Sequence, residues 1–213
     1  MRTNTQIQKI IENRIREFEI LGNSGTMIFD FLPFLNLKIK ATVENELVFC
    51  ISTANSSAVA GLYLQKLLEN VNLKTIDHEK IEEYLKKVGV RFYKRKALYV
   101  EKAITNFDVI EKILEMKDKK ARERLVKTVK GFGYKEASHF LRNVGRKDLA
   151  IIDRHILKWL HENDLINEIP KSLTGKKYVK IEKILGELSL EKNMSLAELD
   201  LYLWYEMTGK ILK

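Results

Sequence analysis

Apolar residues recur every three or four positions through most of this 213-residue chain. The first such segment precedes a Gly-containing stretch at 22–25, and its apolar positions are Ile7, Ile10, Ile11, Ile15 and Phe18. Similar spacing predicts helices over 57–68, 79–88, 95–104 and 107–116. Because the connections between these segments are short, the pattern is typical of a bundle of packed helices.

The remaining pattern changes this picture little. An apolar run at 47–51 is compatible with either a strand or a buried helix. Near the end of the chain, Ser195 and Glu198 have the spacing of a capping box, and Gly209 stands where the last helix should end. Only two prolines and ten glycines interrupt the sequence. We therefore expect an all-α protein.

Composition narrows the class of protein. The chain is 45% hydrophobic and 31% charged, and none of its apolar runs approaches the roughly 20 residues that a membrane helix needs. A single cysteine, Cys50, excludes a disulfide framework and a four-cysteine iron–sulfur or zinc site. The polar N-terminus does not resemble a signal peptide. We expect a cytoplasmic protein with no membrane partner.

Positive charge is concentrated in one part of the chain. The net charge is +9, and residues 117–135 hold eight basic and two acidic side chains. Such a balance favours a polyanionic partner, because each cation placed on a phosphate releases condensed counterions. A solvated, lysine-rich helix face explains the run equally well.

A two-glycine turn lies at the end of this basic stretch. Lys130, Gly131, Phe132 and Gly133 separate two helical patterns, and the second helix ends at Gly145. Glycines let the backbone approach a phosphate, and the amides at the start of a helix attract anions. Gly131, Gly133 and Lys130 are therefore candidate DNA contacts. An ordinary helix-to-helix turn is the alternative.

An amine and a carboxylate follow the turn. Lys135 lies in the first turn of the second helix, and Asp153 comes eighteen residues later, directly before another helix. Lysine is a candidate nucleophile, although an isolated lysine is more often a phosphate contact or solvated. Aspartate at this position is a natural N-cap, and it can also stabilise positive charge on a reacting sugar. The pair is a candidate site for covalent chemistry on a nucleic acid.

The hairpin sequence with Asp153 eighteen residues after Lys135 resembles the helix-hairpin-helix signature of the endonuclease III superfamily. Residues 135–143 and 201–213 are similar to the archaeal 8-oxoguanine DNA glycosylase/AP lyase family, the type-two Ogg branch. The resemblance covers the chain from about residue 41 onward. It implies a helix-hairpin-helix DNA glycosylase fold with two helical domains flanking an active-site cleft and no iron–sulfur cluster. We expect a barrel domain at 45–150 and a second domain formed by 1–44 plus 151–213.

The resemblance also implies an activity. In bifunctional members the lysine matching Lys135 attacks sugar C1′, expels the damaged base and forms a Schiff base that permits β-elimination. The aspartate matching Asp153 assists the attack. No cofactor or metal is needed, because the imine is itself the electron sink. The expected partner is double-stranded DNA containing oxidised guanine, with the damaged base flipped out of the helix. We expect a monomer.

Five further residues gain roles from the resemblance. His155 would hold a phosphate near the lesion, and Asn55 would enter the gap left by the flipped base. Phe92 could stack on that base, Trp204 would form part of the base pocket, and Lys213 would help to recognise 8-oxoguanine. Alternatives for two of them are equally ordinary, because Asn55 could be a helix N-cap and Phe92 a core residue.

One departure from the superfamily pattern is Lys130, which replaces a proline that many members have before the first hairpin glycine. Two other functions stay open. The same fold and lysine could serve a glycosylase for another damaged base, or the hairpin could belong to a non-catalytic DNA-binding module. The second alternative gives no reason for the pairing of Lys135 with Asp153.

Overall fold

The computed structural model describes residues 4–213, which are mainly helical and thereby confirm the predicted helical fold. Eleven helices lie within these residues: α1 (Asn4–Ser24), α2 (Val43–Thr53), α3 (Ala58–Leu68), α4 (His78–Lys87), α5 (Tyr93–Thr105), α6 (Phe107–Leu114), α7 (Asp118–Thr128), α8 (Tyr134–Asn143), α9 (Arg154–Glu162), α10 (Gly175–Glu191) and α11 (Leu196–Thr208). None of the helices between residues 4 and 213 combines the length and apolarity needed to cross a bilayer.

A short β-hairpin is an addition to the all-α expectation. Strands β1 (Thr26–Asp30) and β2 (Lys38–Thr42) pair antiparallel, with Phe29 opposite Ile39. Phe29, Ile39 and Ala41 are fully buried, whereas Lys38 and Lys40 are exposed. This alternation is the strand period, and the buried face packs against α1 and α3. A two-stranded hairpin is marginal by itself, so this packing stabilises it.

The ambiguous run at 47–51 is helical. It lies within α2, whose start is fixed by a reciprocal pair of hydrogen bonds between Thr42 and Asn45. Cys50 lies on this helix and is fully buried. Burial, followed by the negative charge of Glu46, raises the pKa of the Cys50 thiol well above its usual range.

The predicted helix ends are confirmed. Ser195 Oγ accepts from the Glu198 amide at 3.2 Å, and Glu198 Oε2 accepts from the Ser195 amide at 2.7 Å. Gly209 at the end of α11 has a φ of 69°, and Gly145 after α8 has a φ of 94°. Both lie in the left-handed region that glycine adopts without strain.

Buried apolar side chains form two clusters. The larger draws on α1 to α8 and on both strands, and the smaller draws mainly on α9, α10 and the segment before α9. Helix α11 contributes to both, because Leu201 packs in the larger cluster and Leu203 in the smaller. The segment before α9 and helix α11 therefore lie where the two cores meet.

Candidate active site

A cavity of about 510 Å³ brings most of the sequence-predicted site residues together. Its lining includes six of them, namely Asn55, Lys135, Asp153, His155, Trp204 and Lys213. They come from the α2–α3 loop, α8, the start of α9, α11 and the last residues of the chain. Gly131, Gly133, Lys130 and Phe92 do not line this cavity. Residues far apart in sequence thus form one site.

The hairpin turn occupies residues 129–133, between α7 and α8. Gly131 has a φ of 89°, and a Cβ built on it would lie 2.6 Å from the Tyr99 ring, so both conformation and space require glycine. The Gly133 amide donates to Glu136 Oε2 at 3.1 Å. That amide is therefore already paired, which differs from the free amides expected at this turn. Lys130 is exposed beside it.

Lys135 is the second residue of α8, and its side chain retains 25% exposure at the cavity. Its Nζ lies 3.9 Å from Glu136 Oε1. Two other basic groups of the site respond to its charge. Burial lowers the pKa of both Lys96 and His139, and the positive charge of Lys135 lowers each further. The amine thus lies within a cluster of cationic or buried basic groups.

Asp153 is the N-cap of α9, as predicted. Its Oδ1 accepts from the His155 amide at 2.8 Å and from the Ile156 amide at 2.9 Å. The other oxygen, Oδ2, makes no hydrogen bond within residues 4–213. One carboxylate oxygen therefore fixes the side chain, and the other remains available to the cavity.

A buried polar network lies behind Asp153. The Tyr178 hydroxyl accepts from the Ile152 amide at 3.0 Å and donates to the Ala150 carbonyl at 2.8 Å. The Ala150 amide donates to Glu182 Oε1 at 3.0 Å, and Glu182 also pairs with Arg122 of α7 through two hydrogen bonds. Arg122 is buried, so the basic stretch is not simply a solvated face. The network joins the first hairpin helix to the segment that ends in Asp153.

The wall opposite the hairpin is formed by α11. Trp204 is half-buried, and the His155 ring meets it edge-on at a centroid distance of 5.4 Å. One turn earlier, Asp200 also lines the cavity, and Arg142 lies 3.4 Å from its carboxylate. Burial raises the pKa of Asp200 to about 6. Sequence reasoning missed Asp200, although its (i, i+4) relation to Trp204 places both on one helix face.

Lys213 meets the cavity through its main chain. Its Nζ donates to Glu46 Oε2 and, at 2.8 Å, to Gln65 Oε1, and it lies 4.0 Å from the centre of the Phe29 ring. The side chain has no exposed surface. Its ammonium is therefore committed to the core, and the part of Lys213 that a ligand in the cavity can reach is the backbone.

Two exposed residues stand near the cavity rim. Asn55 has a φ of 54° and is not an N-cap, because Ser57 caps α3 by accepting from the Ala60 amide. Phe92 has a φ of 59° and 59% exposure, so the core alternative for Phe92 is wrong. Its neighbour Arg91 lines the cavity, with the guanidinium 5.5 Å from the centre of the Phe92 ring.

A two-glycine helical hairpin, an amine in the first turn after it and a capping carboxylate, all beside one base-sized cavity, define the class of helix-hairpin-helix DNA glycosylases. A family model for 8-oxoguanine DNA glycosylase matches residues 11–194. This chain therefore belongs to the 8-oxoguanine DNA glycosylase family, which confirms the resemblance inferred from its motifs.

Individual relatives agree with this assignment. The 8-oxoguanine DNA glycosylase/AP lyase of Methanocaldococcus jannaschii is 47% identical over 212 residues, covering 99% of this chain and 95% of the relative. That of Aquifex aeolicus is 44% identical over 215 residues, covering 98% and 95%.

Solved structures give the same result. The crystal structure of the M. jannaschii 8-oxoguanine DNA glycosylase matches with a TM-score of 0.85 at 45% identity, covering 99% of this chain and 92% of that one. A crystal structure of the M. jannaschii 8-oxoguanine glycosylase/lyase with a 15mer DNA containing 8-oxoguanine matches with a TM-score of 0.84 at 44% identity, covering 97% and 93%. The fold of this chain is that of its family.

Proposed function

We propose that this protein is a bifunctional DNA repair enzyme that flips 8-oxoguanine out of duplex DNA, excises it and then cleaves the strand by β-elimination. The observation that carries the proposal is the meeting of Lys135, Asp153 and Trp204 in one cavity. A non-catalytic binding module would need the hairpin but not this grouping. The names of the full-length relatives support the same substrate and the same pair of activities.

The chemistry follows from the two charged residues. The neutral amine of Lys135 forms a bond to sugar C1′ while the bond from C1′ to the base nitrogen breaks, and the base leaves with a proton. The free Oδ2 of Asp153 stabilises the positive charge that develops on the sugar. The resulting imine withdraws electrons, so that loss of a proton from C2′ expels the 3′ phosphate.

The cavity offers a complementary set of groups to an oxidised guanine. Trp204 supplies a ring face on which a base can stack. The Asp200 carboxylate can accept from the N1–H and N2–H donors on the guanine edge. Oxidation at C8 adds an N7–H donor that guanine lacks, and the main-chain oxygen of Lys213 is a matching acceptor. Lys213 thus helps to recognise the lesion through its backbone, while its ammonium fixes the backbone in place.

The DNA contacts form a second group. The hairpin, with Gly131, Gly133 and exposed Lys130, is proposed to bind the phosphate backbone. His155 is proposed to bind a phosphate near the lesion, and exposed Asn55 to enter the gap left by the base. Phe92 presents its ring to solvent beside the cavity rather than inside it, so we propose a stacking role at the rim.

Three coarser expectations belong to the same proposal. We propose that the enzyme acts as a monomer, because one chain supplies every residue of the cavity described above. A cytoplasmic location is supported by the DNA substrate and by a single, buried cysteine. The division into a barrel domain at 45–150 and a domain of 1–44 plus 151–213 is supported by the position of the cavity beside the segment that leads from α8 to α9.

Borohydride trapping tests the function directly. We expect the wild-type protein to form a covalent adduct with duplex DNA containing 8-oxoguanine, and Lys135→Gln to form none. Lys158→Gln, a matched change at an exposed lysine outside the cavity, should trap normally. Trapping on another lesion alone would indicate the alternative glycosylase. Failure of the wild-type chain to trap on any lesion or on an abasic site would indicate a binding module.

A further inference from the structure

Lys96 makes an unusual set of contacts beside the proposed active site. It lies on α5, is 5% exposed, and its Nζ donates to the carbonyls of Ser52 and Ala54 at 2.6 Å each and to Ser56 Oγ at 3.1 Å. These three acceptors satisfy all three donors of an ammonium group. The two carbonyls belong to the end of α2, where backbone acceptors lack helical partners and a cation is favoured. Lys96 therefore holds the start of the loop that carries Asn55.

The same hydroxyl connects a second turn to this loop. Ser56 Oγ also accepts from the Arg91 amide at 2.9 Å, and Arg91 directly precedes Phe92. The Lys96 amide in turn donates to the Phe92 carbonyl at 3.0 Å. Lys96 and Ser56 thus tie the Asn55 loop to the Arg91–Phe92 turn.

Both turns contain a non-glycine residue with left-handed backbone. Asn55 has a φ of 54° and Phe92 a φ of 59°, and both side chains are exposed. Such a conformation persists only where surrounding contacts impose it, and for a phenylalanine it is a clear outlier. The contacts that impose it here converge on Lys96 and Ser56.

We propose that Lys96 is a positioning residue for lesion extrusion, whose ammonium fixes the separation of Asn55 and Phe92 at the cavity rim so that both meet the duplex together. This inference rests on the proposed glycosylase function. A merely structural role would be served better by an apolar side chain, because Lys96 forms no ion pair with a carboxylate among the described residues. Its three neutral acceptors all belong to the loop at the rim.

The charge of Lys96 is sensitive to pH. Burial lowers its pKa to about 8, and the positive charges of Lys135 and Arg91 lower it as well, whereas Glu136 raises it. Above this pKa the neutral amine has two donors for three acceptors. The clamp should therefore weaken as pH rises through about 8, and removing the charge of Lys135 should move that transition to higher pH.

The first experiment leaves Lys96 unchanged. In Asp153→Asn, which should bind without releasing the base, we would follow the fluorescence of 2-aminopurine placed next to 8-oxoguanine in a duplex at saturating protein. We expect the fluorescence gain from unstacking to fall between pH 7 and pH 9, with its midpoint at a higher pH in Lys135→Gln. Asp153→Asn carrying Lys96→Arg, whose guanidinium stays charged, should lack the fall. A gain that is constant over this range in Asp153→Asn would overturn the proposal.

The second experiment separates extrusion from chemistry. Single-turnover strand cleavage would be compared on duplexes with 8-oxoguanine and with a preformed abasic site, where no base must be removed. We expect Lys96→Met to be about tenfold slower on 8-oxoguanine, because a charge-assisted hydrogen-bond set is lost, and near wild-type on the abasic site. Lys102→Met, the same change at an exposed position of α5, should leave both rates unchanged. Equal losses on the two substrates would refute a positioning role.

Ser56→Ala keeps the test decisive if Lys96→Met fails to fold. It removes the shared acceptor, so it should slow excision of 8-oxoguanine selectively, and its effect should largely vanish in a Lys96→Met background. Additive losses would contradict the proposed coupling. Trapping of the wild-type chain keeps the two hypotheses apart. If the wild type traps and Lys96→Met extrudes the base normally, only the role of Lys96 fails.

Discussion

Replacing Tyr178 by phenylalanine tests whether the buried network behind Asp153 sets the position of that carboxylate. The ring is 1% exposed, and its hydroxyl bridges the Ile152 amide and the Ala150 carbonyl. Phenylalanine keeps the ring and its contact with the Arg122 guanidinium, whose centre lies 5.5 Å from the ring centre. The change therefore removes only the bridge and leaves two buried backbone groups without partners.

The expected cost follows from those two groups. Each unpaired, buried polar group costs about 1–3 kcal/mol, so the free energy of unfolding should fall by about 2–4 kcal/mol. Ile152 directly precedes Asp153 in the chain, so relaxation of this segment should also move the carboxylate. Because a displacement of about 1 Å can reduce a rate by about a hundredfold, we expect base release to slow by at least about tenfold.

Urea unfolding and single-turnover excision of 8-oxoguanine measure the two effects. Tyr63→Phe is the matched control, because Tyr63 is 45% exposed and lies outside the cavity. An unfolding free energy within about 0.5 kcal/mol of wild type, the range of an ordinary surface change, would refute the energetic reasoning. Loss of stability with normal excision would show that the network stabilises the fold without positioning Asp153.

Three further predictions concern the pocket, the core and the hairpin. Affinity for the free oxidised nucleoside, measured by calorimetry, should fall as pH drops through about 6, because Asp200 becomes protonated, and Asp200→Asn should lack this dependence. Lys213→Met should lower the unfolding free energy in urea by about 3–5 kcal/mol by leaving Glu46 buried without its cation, and adding Glu46→Gln should restore part of the loss. Gly131→Ala should destabilise the chain by about 1–3 kcal/mol, because of its positive φ and the nearby Tyr99 ring, and should weaken binding to undamaged duplex in fluorescence anisotropy.

Features set by neighbouring residues could be read from the sequence. The capping box at Ser195 and Glu198, the glycine at the end of α11 and the N-cap at Asp153 each depend on atoms within a few residues of one another. The Lys135 and Asp153 pair also followed from local motifs, because each lies at the first turn of a helix. Short-range chemistry was therefore enough to locate the reacting groups.

Features set by distant partners could not be predicted in this way. The alternation around Phe29 and Ile39 is present in the sequence, but the two strands are short and separated by a proline-containing turn, so helical spacing dominated the interpretation. The role of Lys213 depends on Glu46, which lies 167 residues earlier. A terminal lysine gives no sign in sequence that its ammonium points into the core and its backbone towards the cavity.

Cys50 bears on the conditions in which such an enzyme must work. Oxidised guanine forms where reactive oxygen species are present, and those species also attack exposed thiolates. The one cysteine of this chain is fully buried on α2, and its raised pKa keeps it in the unreactive thiol form. The catalytic nucleophile is an amine instead. The oxidative stress that creates the lesion therefore leaves both the cysteine and the reacting group of the repair enzyme intact.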